Sequence, residues 1–307
     1  MMKPLVIGMV LLTQLLVLSK QTHAQSRKLR SAIEELNTTF ERYQQISHFG
    51  FDMLLVKEHP FTYDQLSENL DEEHVNDFFS ADKDSADRWL VISAYHQKLD
   101  ASIDELLSMA NLDLDYLKSN LQLPMAFSDD DKLFCIKYPE KGGGTYVGTI
   151  SKMVYVSPLG IDTTFDYEFM REGYYSIVHL PFENKDRYLL LGSVKNCTSC
   201  YYESATLIEK EGDDFKELFA CEVESRDWDG GIQLDTNTLD LILTFQSDDL
   251  NGGCLCDYQS SYYTEPSDTD YYQDTESYQN QSCYYRYSLV NGQYYLVEQK
   301  TTVSLPE

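Results

Sequence analysis

The chain has 307 residues, with 24 basic residues against 51 acidic ones and a formal charge of −27. So acidic a surface repels nucleic acid and anionic lipid, which excludes both as partners and leaves cationic partners, metal ions or plain solubility as roles for the charge. The length is enough for one large core or two smaller ones.

Residues Met1–Ala24 carry Lys3, an apolar core from Leu5 to Leu18, and Thr22-His23-Ala24 before Gln25. This is the pattern of a secretory signal peptide cleaved near Ala24, and it predicts a secreted or periplasmic protein. A retained anchor is the alternative, but Leu5–Ser19 is shorter than the ~20 residues a spanning helix needs. We therefore expect no stable membrane anchor after cleavage.

From about Ser26 to Ser47, Leu29, Ile33, Leu36, Phe40 and Tyr43 recur at spacings of four and three and define one face of a helix. His59-Pro60 breaks that pattern. Thr62–Leu70, Asp84–Leu99 and Ser102–Met109 follow as helices beside capping residues, Asp100 being the expected cap of the third, and Trp89, Ile92, Tyr95 and Leu99 form an apolar face. A short helix over Leu114–Leu121 ends before Pro124. Residues 25–127 thus read as a helical region, with the boundary at Ser128-Asp129-Asp130-Asp131-Lys132.

Residues 128–307 read as antiparallel β. Leu133–Tyr138, Tyr146–Val156, Tyr167–Phe169 and Ser176–Leu180 are strand-like. Tyr188-Leu189-Leu190-Leu191 is a short apolar run closed by Gly192, the pattern of a strand buried on both faces. Ala205–Glu209 and Phe215–Phe219 flank the loop Lys210–Asp214, and Ile232–Asp235 and Leu239–Phe245 flank Thr236-Asn237-Thr238. Tyr284–Val290 and Gln293–Glu298 flank Asn291-Gly292, a hairpin signal because both turn positions need positive φ. The fold class is α+β: a helical region, then an antiparallel domain of sandwich or propeller-like meander type. Residues 254–287, dense in Tyr and Asp and poor in aliphatics, read as an insertion between strands.

The stretches SDDDKLFCIKYPEKGGGTYVG, YYSIVHLPFENKDRYLLLG and ATLIEKEGDDFKELF, within Ser128–Phe245, resemble a group of uncharacterised exported proteins of Bacteroidetes-type bacteria. Cys135 and Pro139 depart from the group's pattern, which has Arg and Trp there. The resemblance implies export and a β-rich fold, and carries no activity.

Cys135, Cys197, Cys200, Cys221, Cys254, Cys256 and Cys283 all lie in the second half and are candidates for a disulfide framework, with at least one thiol unpaired within the chain or paired to another chain. Cys197-x-x-Cys200 with Cys254-x-Cys256 also has the composition of a zinc site, or of a redox pair, though a hairpin follows where a redox motif would start a helix. Asp227 and Asp229, with Asp235 and Asp240, could offer oxygen to calcium, but their spacing is not that of an EF-hand, and a solvated turn explains them as well. Asp129-Asp130-Asp131 has the same standing. Gly142-Gly143-Gly144-Thr145 lacks the Gly-Lys-Ser/Thr of a phosphate loop, and Ser80-Ala81-Asp82-Lys83 matches a serine–lysine pattern by spacing alone. His48, His59, His74, His96 and His179 stand in no ligand spacing, and His179 reads as a core or edge residue. Tyr262, Tyr263, Tyr271 and Tyr272 in the insertion could stack on a glycan or fill pockets of a protein partner; a solubilising insertion is the plainer reading.

The sequence therefore contains no catalytic or resident-cofactor motif, and whether the chain is an enzyme is left open. The reading it favours is an exported accessory module for binding or structure. The alternatives are an extracytoplasmic hydrolase whose carboxylates converge only in the fold, which needs two facing acids with one raised pKa, and a calcium- or zinc-dependent module.

Overall fold

A computed structural model of the chain describes residues 26–47, 53–68, 75–109, 112–141, 148–157, 160–162, 173–195, 200–212, 214–226, 230–247 and 281–303. It divides into two compact units, Met1–Pro124 and Met125–Glu307. The division falls just before the expected boundary, because Met125–Phe127 pairs with a strand of the second unit.

The first unit is built on α1 (26–45) and α4 (Arg88–Leu107). Leu29, Ile33, Leu36, Phe40 and Tyr43 of α1 are all buried, as their spacing predicts. Lys28 meets Glu105 at 3.8 Å, Glu35 meets Lys98 at 3.5 Å, and Tyr43 packs on Tyr95 with centroids 5.7 Å apart, so the two helices run antiparallel. Between them come β1 (Leu54–Leu55), a 3-10 turn at Val56–Glu58, α2 (Tyr63–Ser67), α3 (Val75–Phe78) and β2 (Ser85–Ala86). Thr62 and Gln65 close a reciprocal capping box on α2. The helix α5 (Leu114–Asn120) starts at Asp113, whose carboxylate accepts from the Tyr116 amide at 2.9 Å.

Three expectations for this unit are corrected. The helices expected over Asp84–Leu99 and Ser102–Met109 are one, α4, because Leu99, Ile103 and Leu106 continue its buried face without a break. Its cap is Asp87, which accepts from the Trp89 amide at 2.8 Å, so Asp100 is an interior residue. Trp89 itself is 40% exposed; the buried stripe runs through Val91, Ile92, Tyr95 and Leu99 instead. Among the described residues, no helix is long and apolar enough to cross a membrane.

Among the described residues, the second unit contains three antiparallel meanders of four strands each. The first is β3 (Met125–Phe127), β4 (Leu133–Glu140), β5 (Gly148–Ser157) and β6 (Gly160–Asp162). The second is β7 (Gly173–His179), β8 (Arg187–Lys195), β9 (Cys200–Glu211) and β10 (Asp214–Arg226), and the third is β11 (Gly231–Leu234), β12 (Leu241–Ser247), β13 (Gln281–Val290) and β14 (Gln293–Val303). In every meander each strand pairs with the next in sequence.

The middle sheet is buried on both faces. Tyr188, Leu190, Ile208 and Phe215 join Leu133, Cys135, Met153 and Tyr155 of the first sheet in one core. The alternate residues Leu189, Leu191, Ala205, Leu207, Cys221 and Val223 join Ile232, Leu241, Leu243, Cys283, Tyr285 and Tyr287 of the third sheet in another. Period-two alternation along β8 and β9 sends successive side chains into two different cores, so the unit is three layers deep, with blade-like meanders in succession. The fold class α+β is as the sequence indicates.

Turn chemistry follows the sequence in part. Asn291 and Gly292 have φ of 52° and 74°, the two positive values of a tight hairpin. Glu183 and Asn184, inside the expected Pro181–Asp186 turn, repeat that geometry with φ of 50° and 66°. By contrast, Lys210, Glu211 and Asp214 are strand residues rather than loop, since Asp214 pairs with Glu211 and Phe215 with Lys210. Residues 281–287, assigned by composition to the insertion, belong to β13 and pair on both sides.

Gly292 is held by more than its φ. A Cβ there would lie 1.8 Å from Arg187 Nη1 and 2.7 Å from the Phe182 ring. Gly292→Ala should therefore cost the unit roughly 2–4 kcal/mol, from the strained φ together with the displaced guanidinium. Urea unfolding of the variant checks this, and a loss within 0.5 kcal/mol of zero (about the scatter of surface substitutions) would show that the close approach does not constrain the turn.

Candidate functional site

The sequence places Ser128-Asp129-Asp130-Asp131-Lys132 as a charged boundary; the fold turns it into a wall of a polar cluster. Ser128 Oγ donates to Asp130 Oδ1 at 2.7 Å and accepts from the Leu133 amide at 3.0 Å, while the Lys132 amide donates to the same Oδ1 at 3.2 Å. These bonds fix one carboxylate oxygen of Asp130 to its own turn and leave Oδ2 facing the second sheet.

His179 ends β7, and Asp186 lies just beyond the Glu183-Asn184 turn, so the hairpin sets the two side by side. Backbone bonds hold that end: Leu180 donates to the Arg187 carbonyl at 2.8 Å, and Lys210 of β9 donates to the Asp186 carbonyl at 2.9 Å. His179 stacks on Tyr188 with ring centroids 5.2 Å apart. Its Nε2 then lies 3.3 Å from Asp186 Oδ1 and 3.5 Å from Asp130 Oδ2. Asp130, His179 and Asp186 form a group able to offer three ligand atoms within 4.8 Å of one another.

A cation from the chain itself sits against this group. Lys132 Nζ donates to Asp186 Oδ2 at 2.8 Å and lies 3.6 Å from Asp130 Oδ2. Tyr188 donates to Asp130 Oδ2 at 3.2 Å, and Tyr155 to Asp186 Oδ2 at 3.4 Å. Burial pushes the Asp186 carboxyl up, but its bonds from Lys132 and His179 outweigh burial and hold it below its ordinary 3.8. Lys132 is raised above its ordinary 10.5, chiefly by the bond to Asp186. Tyr188 is raised by burial first and by Asp130 second.

A second polar group lies nearby. The Arg187 guanidinium bonds Glu209 Oε2 at 2.6 Å through Nε and Nη2, donates to the Gly292 carbonyl at 2.5 Å, and covers the Phe182 ring at 4.7 Å. Lys185 also pairs with Glu209. Arg187 thus ties the second sheet to the β13–β14 hairpin of the third. Beside it opens a cavity of about 390 Å³, walled by Leu180, Pro181, Phe182, Leu207, Leu239 and Leu289, with His179, Arg187, Asn291 and Gly292 completing it.

The sequence-selected residues fare unevenly. Cys135 and Cys221 are buried in the two separate cores and take part in no disulfide, which removes both from the disulfide framework. Cys283 is buried on β13 opposite Phe245. Cys200 opens β9. Cys197, Cys254, Cys256, Asp227, Asp229, Tyr262, Tyr263, Tyr271 and Tyr272 lie outside the described residues.

Asp235 and Asp240 are committed elsewhere, Asp235 to the Asn237 amide at 2.8 Å and Asp240 to Arg286 at 2.9 Å. Ser80 donates to Asp82 at 2.7 Å inside a local turn, and Lys83 lies over the Tyr63 ring, as a chance serine–lysine match would have it. In the helical unit His96 meets the Tyr43 hydroxyl at 2.8 Å and His59 meets that of Tyr95 at 3.2 Å. Burial lowers His59 and raises Tyr95 to about 12, as befits packing residues.

His179, Asp130 and Asp186 each looked ordinary in the sequence. The signal that could have found them is the pair of short turns that closes on them, Ser128–Leu133 and Phe182–Lys185. No protein-family model, curated protein or solved structure matches the chain.

Proposed function

We propose that the chain is an exported binding module whose ligand seat is the cavity at the seam of the second and third sheets. The observation that carries this reading is the cavity's make-up: about 390 Å³, six apolar walls, and a guanidinium already neutralised by Glu209. A concave, mainly apolar seat with few polar groups is the usual form of a small-ligand site. The signal-like N-terminus and the resemblance to exported bacterial proteins support the exported half of the reading. The hydrolase reading finds its facing acids in Asp130 and Asp186, but Asp186 is pulled down by Lys132, opposite to the raised carboxyl an acid catalyst needs.

The test uses anilinonaphthalene sulfonate, a dye that brightens in apolar seats, titrated into the purified chain. One saturable site per chain is expected, lost on Leu289→Trp, whose indole fills the cavity, with the melting temperature preserved. Equal dye binding by the folded Leu289→Trp chain would place the apolar seat elsewhere and overturn the reading.

A further inference from the structure

We propose that Asp130, His179 and Asp186 form a three-ligand site for a divalent transition cation of the zinc class, with Lys132 as a built-in competitor for the seat. The proposal is independent of the cavity reading, although His179 borders both.

Three observations carry it. The first is spacing: two ligands each about 2.1 Å from a tetrahedral zinc lie about 3.4 Å apart. His179 Nε2 stands 3.3 Å from Asp186 Oδ1 and 3.5 Å from Asp130 Oδ2, each close to that spacing, and all three ligand atoms lie within 4.8 Å of one another. The second is preorganisation. Asp130 is pinned through its other oxygen by Ser128 and the Lys132 amide, the His179 ring is stacked on Tyr188, and Asp186 sits behind a two-residue turn whose backbone is bonded to β9. Ligands held by their own turns lose little entropy on binding.

The third is that the seat already attracts a cation, the Lys132 ammonium. That ammonium is on a flexible stem with its side chain 42% exposed, so it can swing to solvent when a better Lewis acid arrives. One imidazole nitrogen and two carboxylate oxygens match zinc, copper or nickel. Calcium would ask for six to eight oxygens, roughly, and magnesium for an all-oxygen octahedron. The ligands come from the β3–β4 turn and the β7–β8 hairpin, so a bound ion would clasp the first sheet to the second.

The test is titration of the purified, chelator-treated chain with cobalt(II), read by its visible spectrum, followed by competition with zinc. The expected result is one cobalt per chain with a nitrogen- and oxygen-ligated spectrum, displaced by zinc and abolished by Asp186→Asn and by His179→Gln. Lys132→Met, which removes the competitor, should tighten binding by up to about fivefold, the equivalent of one modest ion pair. Thiolate-to-cobalt charge transfer would place the metal on cysteines and overturn the proposal. So would binding that survives Asp186→Asn, or uptake confined to Lys132→Met, which would make Lys132 the permanent occupant. Leu289→Trp should leave cobalt uptake unchanged and Asp186→Asn should leave dye binding unchanged, so the two readings fail separately.

Discussion

Replacing Glu209 by alanine should lower the unfolding free energy of the β unit by roughly 3–5 kcal/mol, because it strands a buried guanidinium. Arg187 and Glu209 are 8% and 2% exposed, and the pair is bonded at 2.6 Å with Lys185 as a second cation. The cost lies in leaving one charge behind more than in losing the bond itself. The double replacement Arg187→Met with Glu209→Leu should accordingly recover most of the loss. Urea unfolding of the single and double variants settles the matter, and a double variant as weak as Glu209→Ala would sink the argument.

The same pair sets an acid limit. Burial pushes Glu209 up, but Lys185 and Arg187 outweigh it and leave its carboxyl below the ordinary 4.5. A depressed carboxyl contributes stability that is present above its unfolded value and lost as pH falls through its lowered folded one. Stability should thus decline below about pH 4.5, and Glu209→Gln should flatten that decline. An unchanged acid limb in the variant would mean that other carboxylates govern it.

What could be read in the sequence depended on how local the cause was. The face of α1 was legible because helix periodicity is written in consecutive turns, and the Asn291-Gly292 hairpin because two positive φ angles demand those residue types. The continuity of α4 through Asp100 was not, since a strong capping residue there is overruled by Leu99, Ile103 and Leu106 on the packed face. The polar cluster was least legible. Asp130 and Asp186 are 56 positions apart, and each sits in a turn that composition alone explains. His179 between Val178 and Leu180 gave no sign of facing carboxylates, because they come from turns, Asp130 from the β3–β4 turn and Asp186 from the far side of its own hairpin turn. The cysteines could be read only as a group: Cys135 and Cys221 are buried in the two cores without a bridge, whereas Cys283 of β13 is disulfide-bonded, and sequence spacing does not tell these uses apart.

The run Tyr188–Leu191 supports the other large prediction. In a two-layer sandwich one of any two neighbouring strand residues faces solvent, and truncating it costs little. Here Leu189 is fully buried against the third sheet and Leu190 is 1% exposed against the first. Leu189→Ala and Leu190→Ala should therefore each cost about 2–5 kcal/mol, the range for emptying a packed leucine site. Because the two voids open in different cores on opposite faces of one sheet, their costs should add to within roughly 0.5 kcal/mol in the double variant, unless the strand itself relays the strain. A near-neutral Leu190→Ala beside a costly Leu189→Ala would reduce the unit to two layers. It would also detach the first meander, and with it Asp130 and Lys132, from the His179 hairpin.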